Sequence, residues 1–178
     1  MSETDKYYIE RCLDGHQDDF RYLVRRYQGP LLVHLAGETC GRDAAEETAQ
    51  EAFVRAYYGL DKLRKHESFF AWLVGIAERV LKESQRTEQR RRRGAEMLSQ
   101  EVSERASPSH DIDVERAVAA LPAAYRDLIL LRYYGGQSCA EIAGQLRKPV
   151  GTVTKMLSRA YAMLRESLAR YENSEVQK

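Results

Sequence analysis

An all-α fold of two small helical domains joined by a flexible linker, the second domain containing a helix-turn-helix, is what the 178 residues predict. Three observations carry that prediction. Apolar residues recur at helical spacing, and no segment keeps the strict alternation of a strand. A charged, serine-containing stretch, GAEMLSQEVSERASPSHDID, offers no dense apolar face to pack and divides the chain. The segment SCAEIAGQLRKPVGTVTKMLSRA, residues 138–160, reads as two short helices around a turn.

The first helix carries Tyr8, Ile9, Cys12 and Leu13. A second follows Asp18 and carries Phe20, Leu23, Val24 and Tyr27, with Gly29-Pro30 expected to break or kink it. A third begins at Asp43, which with Glu46 has the form of a capping box. It runs through Thr48, Ala49, Ala52, Phe53, Ala56 and Tyr57 and ends near Gly59. The fourth starts near Ser68 and places Phe69, Trp72, Leu73, Ile76, Ala77 and Val80 on one stripe. These four bury one another as a bundle over residues 1–93. Residues 94–112 form the acidic linker, and order resumes near Asp113. Ala117, Val118 and Leu121 lead to Pro122, the first-turn proline of a helix through Leu128, Leu131 and Tyr134 that Gly135-Gly136 stops. Ser138 and Glu141 form a second capping box, opening the helix-turn-helix. The second domain spans residues 113–172, and residues 173–178 are a polar tail.

Charge is distributed unevenly along this frame. Residues 1–95 hold 17 basic and 16 acidic side chains. Residues 96–115 hold one arginine against six acids, a net of −5, and residues 116–178 hold ten basic against five acidic, a net of +5. A basic C-terminal module suits a polyanion partner. The run Arg90 to Arg93 either follows a phosphate backbone or is the solvated end of a helix. The three cysteines, Cys12, Cys40 and Cys139, are far apart and odd in number, with no CxxC or Cys/His cluster of metal spacing. No metal and no cofactor are expected. No apolar run reaches the length of a membrane helix and MSETDK is not a signal peptide, so the expected location is the cytoplasm, without membrane insertion. No nucleophile–base constellation and no phosphate-cradling glycine loop is present, so neither an enzyme nor a small-molecule substrate is expected.

Within residues 138–160, Ile142, Ala143 and Leu146 face inward from the first helix, and Val150, Val153, Leu157 and Ala160 from the second. Ala143 leaves room where two helices cross closely. The open face of the second helix offers Thr152, Thr154, Lys155, Ser158 and Arg159. Short hydroxyls and long cations bond phosphates and base edges, which is the chemistry of a recognition helix. The same pattern also describes a helical hairpin whose polar face is merely solvated.

Two stretches, in this order, resemble one family. DAAEETAQEAFVRAYYGLDKLRKHESFFAWLVGIAERVL resembles the second region of bacterial RNA polymerase sigma factors, and LPAAYRDLILLRYYGGQSCAEIAGQLRKPVGTVTKMLSRAYAMLR their fourth region. A short acidic linker between them, without the other regions, resembles the extracytoplasmic-function type. The likeness covers most of residues 18–168, and its most specific pieces are AQEAFVRAY, FFAWLVGIA, and AEIAGQL with VGTV.

The resemblance implies an alternative sigma factor that binds core RNA polymerase and directs promoter-specific initiation. Its partners would be core polymerase, promoter DNA and an anti-sigma factor. The helix holding Glu47, Gln50, Glu51 and Arg55 would dock on a coiled coil of the largest polymerase subunit. The stripe from Phe69 to Val80 would belong to the segment that opens the minus-ten element. Strand separation needs aromatics and cations to hold unstacked bases. Trp72 lies within the apolar stripe and reads as core, whereas the adjacent Phe69 and Phe70 are not expected to face inward together. Phe70, Arg79, Lys82 and Arg86 are therefore the minus-ten candidates, and Thr152, Thr154, Lys155, Ser158 and Arg159 the minus-thirty-five candidates. The chain departs from the family pattern at Glu78-Arg79, where an asparagine usually follows the IA pair. It departs again at Glu47, which replaces an aspartate, and at Thr154, which replaces a basic residue. These departures point to a change in promoter preference. Two alternatives stay open from sequence: a helix-turn-helix regulator acting without polymerase, and a helical protein-interaction module.

Overall fold

The computed structural model describes residues 4–94 and 112–175. Among these residues the chain forms eight α-helices and no strand. It divides into two compact units, residues 1–106 and 107–178. Apart from its end residues 94 and 112, the linker expected over 94–112 lies outside the described residues.

The first unit holds α1 (Asp5–Leu13), α2 (Phe20–Leu35), α3 (Arg42–Tyr58) and α4 (Phe69–Gly94). Helix α3 packs between α2 and α4, and α1 lies against α2. On α3 the buried Ala45, Ala49, Ala52 and Ala56 recur every three or four residues, and side chains this small let neighbouring helices approach closely. Asp5 ties α1 to α2 by accepting from Arg26 at 2.6 Å and from the Tyr27 hydroxyl. Burial, and then donation to Asp5, push the Tyr27 phenol well above its ordinary pKa.

Several local expectations are corrected here. Gly29-Pro30 does not break α2, which runs on to Leu35 with Pro30 buried inside it. An interior proline costs about 3 kcal/mol, and burial of Leu23 and Tyr27 before it and Leu31 and Leu35 after it outweighs that cost. Asp43 does not cap α3; Gly41, at φ 103°, occupies the N-cap position, and Glu46 accepts instead from Arg42 at 2.5 Å. Phe69 and Phe70 are both buried, at 0% and 1% exposure. Neighbours on a helix differ by about 100° in direction, and the start of α4 is enclosed over a wider arc than that. Phe69 meets Phe20 and Tyr27 at ring distances of 6.2 and 5.5 Å, while Phe70 stacks on Tyr27 at 5.3 Å.

The second unit holds α5 (Ile112–Ala119), α6 (Ala123–Tyr133), α7 (Cys139–Leu146) and α8 (Val150–Glu175). Helix α8 touches each of the other three and continues past residue 172, where a polar tail was expected. Ala117, Leu121, Leu128, Ile142, Val153, Leu157 and Ala160 form its core. Arg126, only 6% exposed, directs Nη1 to the Ala119 carbonyl at 3.4 Å. A cation there complements the negative end of α5. Gly135 is required by space, since a Cβ would lie 2.5 Å from the Leu131 carbonyl oxygen. Gly136 is required by its φ of 60°. Pro122 occupies the N-cap position of α6, one residue before its first turn.

The capping box of α7 is complete. Ser138 Oγ accepts from the Glu141 amide at 3.2 Å, and Glu141 Oε2 accepts from the Ser138 amide at 2.9 Å. At the other end Arg147 takes the left-handed conformation, φ 52° and ψ 43°. The Lys148 amide reaches back to the Ala143 carbonyl at 3.0 Å and the Arg147 amide to that of Gly144 at 3.4 Å, the pair of bonds of a Schellman ending. Pro149 then offers its carbonyl to the amides of Thr152 and Val153. Leu146 and Val150, expected inside, are 36% and 48% exposed. Each adjoins the turn, where its helix has no further turn to cover it.

Candidate nucleic-acid and polymerase interfaces

On α8, Val153, Leu157 and Ala160 form the buried side. Thr152, Thr154, Lys155, Ser158 and Arg159 occupy the opposite arc, and all five are exposed. Two hydroxyls are turned back onto the helix: Thr154 Oγ1 donates to the Val150 carbonyl and Ser158 Oγ to the Thr154 carbonyl, both at 3.0 Å. Lys155 and Arg159 stand one turn apart, and no carboxylate pairs with either among the described residues. Arg147 and Lys148, exposed in the turn, add cations just before this helix.

On α4 the polar flank lies opposite the buried stripe. Arg79 is exposed and its Nε donates to the Gly75 carbonyl at 3.0 Å. Lys82 sits 3.9 Å from Glu78, and Arg86 is exposed. Phe70 does not belong to this surface, because its burial removes it from any contact with DNA in this conformation. Trp72 does reach it. Its ring is half-buried against Phe69 and the bare backbone of Gly59, and it lies on the same side of α4 as Arg79. The spacing of Trp72 fits the stripe, so its pattern alone points to the core. Lys62, Arg64 and Lys65 are further exposed cations, in the connection that leads into α4. The run KLRK was the available signal.

On α3, Glu47 and Gln50 are exposed, and Glu51 and Arg55 are half-buried. Arg55 Nε donates to Glu51 and Nη1 to Glu83 of α4, both at 2.7 Å. Those two bonds, with Glu51 the larger cause, raise the Arg55 pKa above its ordinary value. A groove between α3 and α4 has Val54 and Leu81 along it and carboxylates at Glu38, Glu47, Glu51 and Glu88. Val54, 50% exposed, is an apolar side chain on the polar face that sequence reading had not singled out. Helical spacing from Glu47 and Gln50 was the signal that could have found it.

Among the described residues, no group of three or more His, Cys, Asp or Glu is placed to hold a metal ion. No helix is long and apolar enough to cross a membrane, again among the described residues.

The Sigma-70 region 2 model matches residues 16–91, and the Sigma-70, region 4 model matches residues 111–164. The chain is 32% identical to the ECF RNA polymerase sigma-E factor of Escherichia coli (strain K12), with 90% of this chain and 93% of that protein covered. It is 31% identical to the ECF RNA polymerase sigma factor SigW of Bacillus subtilis (strain 168), covering 90% and 94%. Similar solved structures are CnrH in complex with the cytosolic domain of CnrY and the sigma factor RpoE in complex with the anti-sigma factor NepR from Bartonella quintana. For the first, the TM-score is 0.53 and the identity 22%, with 94% of this chain and 99% of that chain covered. For the second, the values are 0.51, 23%, 86% and 98%. At these identities the structures speak for the fold. The two matched regions and the relatives spanning nearly the whole chain establish that it belongs to the extracytoplasmic-function sigma factors, alternative sigma factors of the sigma-70 family that direct transcription.

Proposed function

We propose that this sigma factor acts without catalysis of its own, by docking α3 on core polymerase while α4 and α8 contact the two promoter elements. The polymerase contact falls to Glu47, Gln50, Glu51 and Arg55, with Val54 between them. Arg79, Lys82 and Arg86 face the minus-ten element, flanked by Trp72 and the cations of the α3–α4 connection. Thr152, Thr154, Lys155, Ser158 and Arg159 enter the major groove of the minus-thirty-five element. The observation that carries this reading is the exposure of those five donors and acceptors opposite the buried stripe of α8. The protein works in the cytoplasm, where core polymerase is. An anti-sigma factor is its expected regulator, because the similar RpoE structure is a complex with one.

The test is reconstitution of initiation. Purified chain added to core polymerase and a genomic promoter library should produce transcripts with defined start sites. A folded chain that gives no specific initiation overturns the reading. Operator binding in the absence of polymerase would favour a stand-alone regulator, and DNA association without salt dependence would favour a protein-interaction module.

A further inference from the structure

We propose that Thr154 and Ser158 set specificity in the minus-thirty-five element by accepting hydrogen bonds from exocyclic amino groups, adenine N6 or cytosine N4. This rests on the reading that α8 enters the major groove.

The inference follows from where two protons go. Thr154 Oγ1 lies 3.0 Å from the Val150 carbonyl oxygen, and Ser158 Oγ lies 3.0 Å from that of Thr154. A carbonyl oxygen has no proton to give, so each hydroxyl donates its only one to the helix. What each turns to solvent is lone pairs, and both residues are exposed. Outward, the two side chains act as acceptors.

An acceptor selects strongly among the groups of the major groove. Phosphate oxygens, purine N7, guanine O6 and thymine O4 are themselves acceptors and make no bond with it. The donors on the major-groove edges are the amino groups of adenine and cytosine. Four residues along a helix span about 6 Å, and base pairs stack at about 3.4 Å, so the two hydroxyls address positions about two base pairs apart.

The adjoining cations complete the arrangement. Lys155 and Arg159 each follow an acceptor by one residue and carry only donors. A row of acceptors therefore runs beside a row of donors. Adenine offers N6 beside N7, and a cytosine–guanine pair offers N4 beside O6, so either satisfies both rows at one base pair.

The experiment is selection from a duplex library randomised across the upstream element, using core polymerase loaded with the full chain. The wild type should enrich adenine or cytosine on one strand at two positions about two base pairs apart. Thr154→Val, equal in shape, should relax one position, and Ser158→Ala the other. Replacing a selected base by its analogue without the amino group should weaken wild-type binding about two- to tenfold, the range of one hydrogen bond. It should leave the matching variant unchanged. Adenine or cytosine selected on opposite strands at the two positions, or an undiminished preference in Thr154→Val, overturns the proposal. Arg159→Ala separates the two levels. If it leaves upstream selection intact, the groove reading itself fails. If it abolishes selection while both hydroxyl variants keep the adenine or cytosine preference, only the present proposal fails.

Discussion

Arg147 is the described residue other than glycine with a positive φ, and it sits where a helix ending of this type ordinarily places glycine. Holding an L side chain at φ 52° costs about 1 kcal/mol relative to glycine. Arg147→Gly should therefore raise the unfolding temperature of the second unit by about 4 °C or more, since about 1 kcal/mol moves a domain this small by that amount. Calorimetry of the full chain measures it, and an unchanged or lower transition would remove the strain assigned here. The same variant should weaken promoter binding, because it deletes the exposed guanidinium beside α8; stability and binding would then move in opposite directions. Gly135 predicts the reverse case. Gly135→Ala drives a Cβ against the Leu131 carbonyl and should cost about 1–3 kcal/mol. The two sites differ in legibility. Gly135-Gly136 announces a stop, whereas in RKP the signal is indirect. Pro149 cannot take a positive φ and biases Lys148 to extended backbone, which leaves Arg147, but the letters do not show that Arg147 closes the helix. That depends on the Ala143 carbonyl and the Lys148 amide meeting after α7 has formed.

Between helices, paired charges matter more than any single one. Glu83 lies among Arg79, Lys82 and Arg86 on α4, where a bare carboxylate would repel a phosphate backbone, and Arg55 of α3 binds it at 2.7 Å. Arg55→Ala should weaken promoter melting at saturating loading of the factor onto polymerase by about two- to fivefold, the scale of an exposed ion pair. Arg55→Ala combined with Glu83→Gln should restore it, because the repulsion is gone with its mask. Permanganate footprinting of the opened promoter reads both, and failure of the second change to rescue would dismiss charge masking. Tyr27 joins α1, α2 and α4 and yields a pH dependence. Its folded-state pKa lies above the unfolded value of about 10, so the stabilisation is complete below that pH and declines as pH rises beyond it. Denaturant titrations between about pH 8 and 11 should lose stability more steeply for wild type than for Tyr27→Phe; equal slopes would exclude Tyr27 as the source. The stripe from Phe69 to Val80 was readable at this scale because burial on one face imposes a period. The burial of Phe70 and the Arg55–Glu83 bond were not, since each depends on which helix arrives from elsewhere in the chain.

At the scale of the whole molecule, the two proposed interfaces on one chain would act together, because the first to engage raises the effective concentration of the second. The order of the two regions was legible in the sequence, since each carries its own run of motifs. The faces they present were legible only where the polar residues lie opposite a periodic core, as on α8. A bipartite reader predicts that its halves fail separately. Lys155→Ala with Arg159→Ala should remove discrimination of the upstream element and lower the salt dependence of promoter binding by about one counterion for each phosphate left without its cation. Polymerase loading should be unaffected, because neither side chain belongs to the first unit. Glu47→Lys with Glu51→Lys should do the opposite. Reversing two carboxylates beside the α3–α4 groove should reduce loading onto core polymerase, while the upstream preference of the complexes that do form stays intact. Loading is measured by co-sedimentation with core polymerase and discrimination by competition between matched and scrambled upstream elements. If either pair of substitutions abolished both properties in a folded protein, the division of labour between α3 and α8 would be wrong, and the two units would have to be treated as one interface.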